Sequence, residues 1–148
     1  SHKDVSLVIA GKGTLPVSVA EKGYIKIIND YISNDDLVSL IRSAMFVVCP
    51  YTDATQSGVV STVLALGTPM VVTDTGTMGE MVRELNAGIV VPPKDSQSLA
   101  EAMETLIGNP ECLGQFRKSI SRNQPEHSWS GIASEYEELY RTLIAQQR

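Results

Sequence analysis

Between Met45 and Val72 the chain passes through an apolar run, a polar turn, a segment of helical period and a second apolar run. Met45-Phe-Val-Val-Cys49 shows no alternation, so it reads as a strand buried on both faces, and Pro50 stops it. Tyr51-Thr-Asp-Ala-Thr-Gln-Ser57 follows as a polar stretch. The spacing then predicts a helix from about Ser57 to Leu66 with Val59, Val60, Val63 and Leu64 inward. Gly67 is its expected stop, with Pro69 two residues on. Met70-Val-Val-Thr73 is the next strand. A helix that returns the chain to a second doubly buried strand calls for a parallel sheet covered on both faces. Any chemistry is expected to centre on the turn between them.

The rest of the chain follows the same alternation. Val5 to Ala10 reads as a strand buried on both faces and ending in the turn Gly11-Lys12-Gly13, and Tyr24 to Ile28 as a second strand. The stretch between them is barely long enough for a parallel crossover. Ser33 to Ala44 is a helix: Ser33 and Asn34 are cap residues, Asp35 and Asp36 suit its positive end, and Leu37, Leu40, Ile41 and Ala44 form one stripe. After a loop over Asp74 to Gly79, a short helix from Gly79 to Leu85 ends near Ala87-Gly88. Ile89-Val-Val91 is the last strand, closed by Pro92-Pro93. Three helices finish the chain. Ser98-x-x-Glu101 reads as a capping box for the first, whose stripe is Leu99, Ala102, Met103, Leu106 and Ile107. The second runs from about Pro110 to Arg122. The third starts near Ser128, and its stripe (Trp129, Ile132, Ala133, Tyr136, Leu139, Tyr140, Leu143, Ile144) is expected to pack along the domain or onto a partner. The fold class is α/β: a Rossmann-like parallel sheet of about five strands with helices on both faces, one domain over residues 1–148.

Composition narrows the function classes. With 148 residues the chain fits one core, and 43% hydrophobic with 20% charged residues is an ordinary soluble mixture. No apolar run approaches the roughly 18 residues that span a bilayer. The first ten residues read as a charged start and a strand rather than a signal peptide. The net charge of -5, with no Lys/Arg cluster, argues against a nucleic-acid groove. Cys49 and Cys112 are too few for a disulfide framework, and Cys49 reads as a small core residue. A reducing, cytoplasmic setting is expected. The first strand starts abruptly at Val5, which suggests a piece of a longer chain.

Ligands of open parallel sheets bind beyond the C-terminal strand ends. Here those turns are Gly11-Lys12-Gly13, Asn29 to Ile32, Pro50 to Gly58 and Thr73 to Gly79. Thr55-Gln56-Ser57-Gly58 is the sharpest of them. It lies at a helix start, where free N–H groups and the helix dipole favour a phosphate, and Gly58 lets a ligand approach the backbone. The same residues also fit a capped helix start with no ligand. Gly11-Lys12-Gly13 has neither the P-loop nor the dinucleotide spacing and fits a simple turn equally well. His2 and His127 have no metal-ligand spacing, and no Cys/His or Ser/His pair can be assembled. Glu80, in a first helical turn, reads as dipole compensation rather than a catalytic carboxylate.

From Pro50 to Val72 the sequence resembles the C-terminal domain of retaining, GT-B-fold glycosyltransferases of family 4, the group 1 transferases. The run PYTDATQSGVVSTVLALGTPMVVT carries the resemblance. It continues through Gly76-Thr-Met-Gly-Glu80, Ala87-Gly-Ile-Val-Val-Pro-Pro-Lys-Asp95, the Leu99–Ile107 helix and His127-Ser-Trp129. The chain is thus expected to be half of a GT-B fold. The order of the motifs is specific, while each alone is not. In that family two glutamates eight apart approach the donor sugar and hold the ribose. Those positions fall on Ala54 and Thr62 here, so both carboxylates are missing.

Carried over by position, the resemblance implies that N–H groups around Ser57, Gly58 and Val59 take the donor's distal phosphate. Thr55 and Gln56 would face the diphosphate or sugar and Thr62 the ribose. Gly11, Lys12, Gly13, Asn29, Tyr31 and Ile32 would line the nucleobase. The donor implied is a nucleoside diphosphate sugar, with no metal or other cofactor. The acceptor implied is a glycan or lipid-linked glycan, bound by an N-terminal domain, and the resemblance leaves room for peripheral attachment of the full-length protein to the inner membrane face. Family members open this domain with a further strand, a Gly-Arg turn and a Lys that neutralise the leaving diphosphate, and nothing before Val5 supplies them. The chain is therefore expected to be a fragment, inactive alone. Two other readings stay open: a non-catalytic module with a degenerate donor site, and half of a GT-B sugar-nucleotide epimerase.

Overall fold

The computed structural model describes residues 5–14, 23–123, 133, 136, 137, 141 and 144. The chain divides into two compact units, residues 1–40 and 41–148. In the first, β1 (Leu7–Ala10) pairs in parallel with β2 (Ile25–Ile28), Leu7 opposite Ile25 and Ala10 opposite Ile28. The Leu7 N–H donates to the Tyr24 carbonyl at 2.8 Å and the Gly11 N–H to that of Ile28 at 3.0 Å, extending the ladder at both ends. The short connection therefore does join a parallel pair. Full burial does not follow, since Leu7 is 38% and Val8 42% exposed. An apolar run specifies a strand, but covering both faces takes packed neighbours, and among the described residues each strand of this pair has one neighbouring strand.

The helix α1 (Asn34–Ser43) opens on Ser33. The Ser33 hydroxyl accepts the Asp36 N–H at 3.2 Å and donates to the Asp36 carboxylate at 2.6 Å, a reciprocal cap. Of its stripe, Ile41 is buried, and Leu37, Leu40 and Ala44 are half-buried.

In the second unit β3 (Val47–Cys49), β4 (Met70–Thr73) and β5 (Gly88–Val91) form a parallel sheet in the order β3-β4-β5. Val47 stands opposite Met70, and Val71 opposite Ile89. Among the described residues the five strands thus form two hydrogen-bonded sets, each parallel within itself. The helix α2 (Gly58–Ala65) links β3 to β4, and α3 (Met78–Glu84) links β4 to β5 and packs on both. Two more helices follow, α4 (Ser96–Gly108) and α5 (Pro110–Asn123). β4 is the central strand, and Met70, Val71 and Val72 are fully buried. Val71 joins Val91, Ala102, Leu106 and Leu113 in one core. By strand alternation Met70 and Val72 point to the other face, so both faces are covered. Each such side chain contributes about 1.5–3 kcal/mol on burial, which makes β4 the anchor of the unit.

The helix ends follow from single residues. The N–H groups of Gly67 and Thr68 donate to the carbonyls of Leu64 (3.0 Å) and Val63 (3.2 Å), closing α2 with Gly67 at φ +71°. Asn86, at φ 44°, closes α3 the same way through Asn86 N–H to Arg83 and Ala87 N–H to Val82. This helix runs within one residue of the expected Gly79 to Leu85, and Asn86 closes it because Asn tolerates the left-handed conformation. The expected Ser98/Glu101 capping box is not formed. Asp95 is the cap: its carboxylate accepts the Ser98 N–H at 3.0 Å, and Glu101 instead accepts from Gln97 one turn back. Aspartate outcompetes a serine three residues on because it adds charge to the cap bond.

Arg117 of α5 donates to the Ala44 and Met45 carbonyls just beyond α1, and the Ser119 hydroxyl donates to that of Leu85 at 2.8 Å. Of the last expected stripe, Ala133, Tyr136 and Ile144 are helical and exposed, Tyr136 at 57%, so these three are not packed inward. An apolar stripe is buried only where a surface meets it. Trp129, Ile132, Leu139, Tyr140 and Leu143 lie outside the described residues.

Candidate functional site

The start of α2 stands at the C-terminal end of β3, where Pro50 releases the chain into the loop of residues 50–57. Ser57 is extended (φ -139°, ψ 121°), and its hydroxyl accepts the Val60 N–H at 3.4 Å while its carbonyl accepts that of Ser61 at 3.3 Å. Among the described residues, the N–H groups of Gly58 and Val59 have no acceptor. The first turn of α2 carries no acidic residue. Gly58 is exposed, with nothing within 4 Å of the place a Cβ would take. The result is two N–H groups without an acceptor among the described residues at the positive end of a helix dipole, with open space beside Gly58, a geometry suited to an anion.

The other expected residues divide between the two units. Thr55 and Gln56 are exposed, and Val59 is half-buried. Thr62, half-buried, spends its hydroxyl on the Gly58 carbonyl at 2.8 Å. The Tyr51 and Ser57 hydroxyls are hydrogen-bonded at 3.0 Å. Ala54 is half-buried and, like Thr62, brings no carboxylate to the loop. Gly11, Lys12, Gly13, Asn29, Tyr31 and Ile32 belong to the first unit. There the Gly13 N–H donates to the Asn29 side-chain carbonyl at 3.0 Å, which brings the two turns together. Tyr31, 79% exposed, and Ile32 line an open groove of about 400 Å³ with Lys26, Ile28, Asp30 and Asp36, a groove that Gly11, Lys12 and Gly13 do not reach.

The Thr73 to Gly79 turn, between β4 and α3, was expected among the strand-end turns, but the sequence assigned none of its residues a part in the site. The Thr73 hydroxyl, 3% exposed, donates to the Tyr51 carbonyl at 2.5 Å and reaches that of Cys49 at 3.4 Å. The Thr77 N–H donates to the Thr55 carbonyl at 3.1 Å, with its hydroxyl at 3.4 Å. Gly76, at φ +53°, passes so close to the Ala54 and Thr55 carbonyls that a Cβ there would overlap them. Three threonines within five residues at a strand end were the available signal.

Beside this turn Asp74 and Arg83 form a bidentate, part-exposed pair at 3.1 and 2.6 Å. The hydrogen bond from Arg83 holds the Asp74 carboxyl below its ordinary range. Cys49 is 4% exposed, and burial pushes its thiol up to about 11, as suits a core residue. Among the described residues no group of His, Cys, Asp and Glu could hold a metal ion, and no helix is long and apolar enough to cross a membrane.

The fold has solved counterparts. Sucrose-phosphate synthase from Thermosynechococcus elongatus superposes with a TM-score of 0.65 at 26% identity, over 83% of this chain and 31% of that one. Parallel strands alternating with helices, matched to that enzyme, define the class: half of a GT-B glycosyltransferase fold. The sequence profile described as "Glycosyl transferases group 1" matches residues 1–109, and the chain belongs to that family. Among curated relatives, the D-inositol 3-phosphate glycosyltransferase of Corynebacterium urealyticum is 28% identical over 109 residues, covering 74% of this chain and 26% of the relative. The phosphatidyl-myo-inositol mannosyltransferase of Mycobacterium leprae is 26% identical over 145 residues, covering 95% of this chain and 38% of the relative. The chain thus spans between a quarter and two-fifths of the length of these two relatives.

Proposed function

We propose that this domain is the donor-binding part of a retaining, nucleotide-sugar-dependent glycosyltransferase, and that the α2 start holds the donor's distal phosphate. The observation that carries the reading is the pair of unpartnered N–H groups, Gly58 and Val59, at a helix start with no acidic residue in its first turn. Binding there needs no metal. Thr55, Gln56 and Thr62 lie within the same loop and first turns, in reach of the remaining donor groups, with neutral hydrogen bonds in place of charge-assisted ones. Catalysis in the whole protein would rest on holding donor and acceptor in line and on stabilising the departing diphosphate. The name of the phosphatidyl-myo-inositol mannosyltransferase supports a lipid-linked acceptor, while D-inositol 3-phosphate, in the other relative's name, is neither a glycan nor a lipid. Isothermal titration of UDP and GDP into the full-length protein tests the reading: one of them binds, and absence of heat from both sinks it. The 148 residues alone transfer no sugar, because the acceptor side of such a cleft lies on a further domain; transfer by this chain in isolation would refute that.

A second reading rests on Ala54 and Thr62 standing where the family has glutamates: a module whose site serves assembly and not turnover. A Gln56→Ala/Ser57→Ala double variant of the full-length protein separates the two. Loss of transfer supports the enzyme, and unchanged function in cells supports the module.

A further inference from the structure

We infer that the β4–α3 turn, through Thr73, Gly76 and Thr77, is the positioning element of the donor loop. The inference rests on the donor reading above and assigns the turn no contact with the ligand.

The loop of residues 50–57 has no secondary structure of its own, yet an anion site needs its N–H groups held in one place. The structure shows what holds them. At one end the buried Thr73 hydroxyl binds the Tyr51 carbonyl at 2.5 Å, and Tyr51 passes the constraint on through its own hydroxyl, 3.0 Å from the Ser57 hydroxyl. At the other end the Thr77 N–H binds the Thr55 carbonyl at 3.1 Å, two residues before the helix cap. Between them Gly76 lies against the Ala54 and Thr55 carbonyls where any side chain would collide. Both anchors originate on β4 or just beyond it, and β4 is the most deeply buried strand of the unit. The loop is thus pinned to the rigid part of its unit at two points, and the α2 start inherits that rigidity. Among the described residues the Thr75 hydroxyl, in the same turn, is the buried side-chain polar atom with no partner. The turn gives up one hydrogen bond while its neighbours reach across to the loop.

The test uses the full-length protein carrying Thr73→Val, Thr73→Ser or Gly76→Ala, titrated with whichever of UDP and GDP the wild type binds. Thr73→Val keeps the shape and removes the donor. It is expected to weaken binding about fivefold, the worth of one hydrogen bond, and Thr73→Ser to restore it. Gly76→Ala must push the loop aside, with a loss of about tenfold or more. In hydrogen exchange, the amides of residues 54–59 speed up in Thr73→Val while those of 70–72 stay protected. In a transfer assay the donor KM rises with kcat kept. A purely structural role would lower Tm in these variants and leave affinity and the exchange of residues 54–59 as in the wild type, and that result overturns the inference while the donor reading stands. A wild type that binds neither nucleotide overturns both.

Discussion

The helix α4 begins at Asp95, whose carboxylate accepts the Ser98 N–H at 3.0 Å and the Ser98 hydroxyl at 2.7 Å, whereas α2 begins at Ser57, a neutral cap with no acid in the turn that follows. Both helices present the same positive end. In α4 a carboxylate of the chain itself answers it. In α2 the cap takes one N–H, and those of Gly58 and Val59 keep no partner among the described residues. The other described helices resemble α4 in this respect, with Asp35 and Asp36 in α1, Glu80 in α3 and Glu111 in α5. The difference is that, among the described residues, no carboxylate answers the positive end of α2, which is the condition the proposed phosphate site requires.

The comparison breaks or sharpens under substitution. The largest expected effect comes from giving α2 the first-turn acid that α1, α3 and α5 carry. Gly58→Asp places a carboxylate on an open surface in the first turn, and nucleotide affinity of the full-length protein should fall about tenfold or more through like-charge repulsion. The same variant should gain about 0.3–1 kcal/mol in chemical denaturation, so function and stability move in opposite directions. A variant that binds as well as wild type would mean that the α2 start is an ordinary helix end. Next, Ser57→Ala removes the hydroxyl cap and should cost about 1 kcal/mol, read as a shifted denaturation midpoint. Equal stability would show that the Ser57 hydroxyl contributes nothing as the cap of α2.

The smallest effect is a pH dependence that α4 has and the cap of α2 lacks. Hydrogen bonds from the Ser98 hydroxyl and N–H hold the folded Asp95 carboxyl below its ordinary value of 3.8. Its contribution is therefore complete above that value and is lost as pH falls through the lowered folded one. Melting curves taken on the acid side should show this loss in wild type and a flatter response in Asp95→Asn. A parallel response in the two proteins would remove Asp95 from the account.

Most of the element order was legible in the amino acids. Met70 to Thr73 is a strand over its expected length, and Gly67 stops α2 where its position demanded. Both depend on interactions within a few residues: an unbroken apolar run, and a residue free to adopt positive φ. The α2 start was legible for the same reason, since Ser57 and Gly58 mark a helix start by themselves. Where two local signals competed the reading failed. Ser98-x-x-Glu101 fits a capping box, but Asp95 sits three residues earlier and holds the stronger acceptor. Burial was legible only in part. β1 and β4 carry similar apolar runs, yet Leu7 and Val8 stay exposed while Met70, Val71 and Val72 have none of their surface open.

The sequence by itself determined which segments are strands and helices, where a helix begins or ends when a single local signal marks the place, and that the first turn of α2 would carry no carboxylate. These rest on backbone preference, periodicity and charge within one turn. Only the tertiary structure decided what holds the candidate site. Thr73 reaches Tyr51, and Thr77 reaches Thr55, each across 22 residues of sequence. No local rule connects such positions. They meet because β3 and β4 pair in one register, and that register follows from burying both faces of β4 at once.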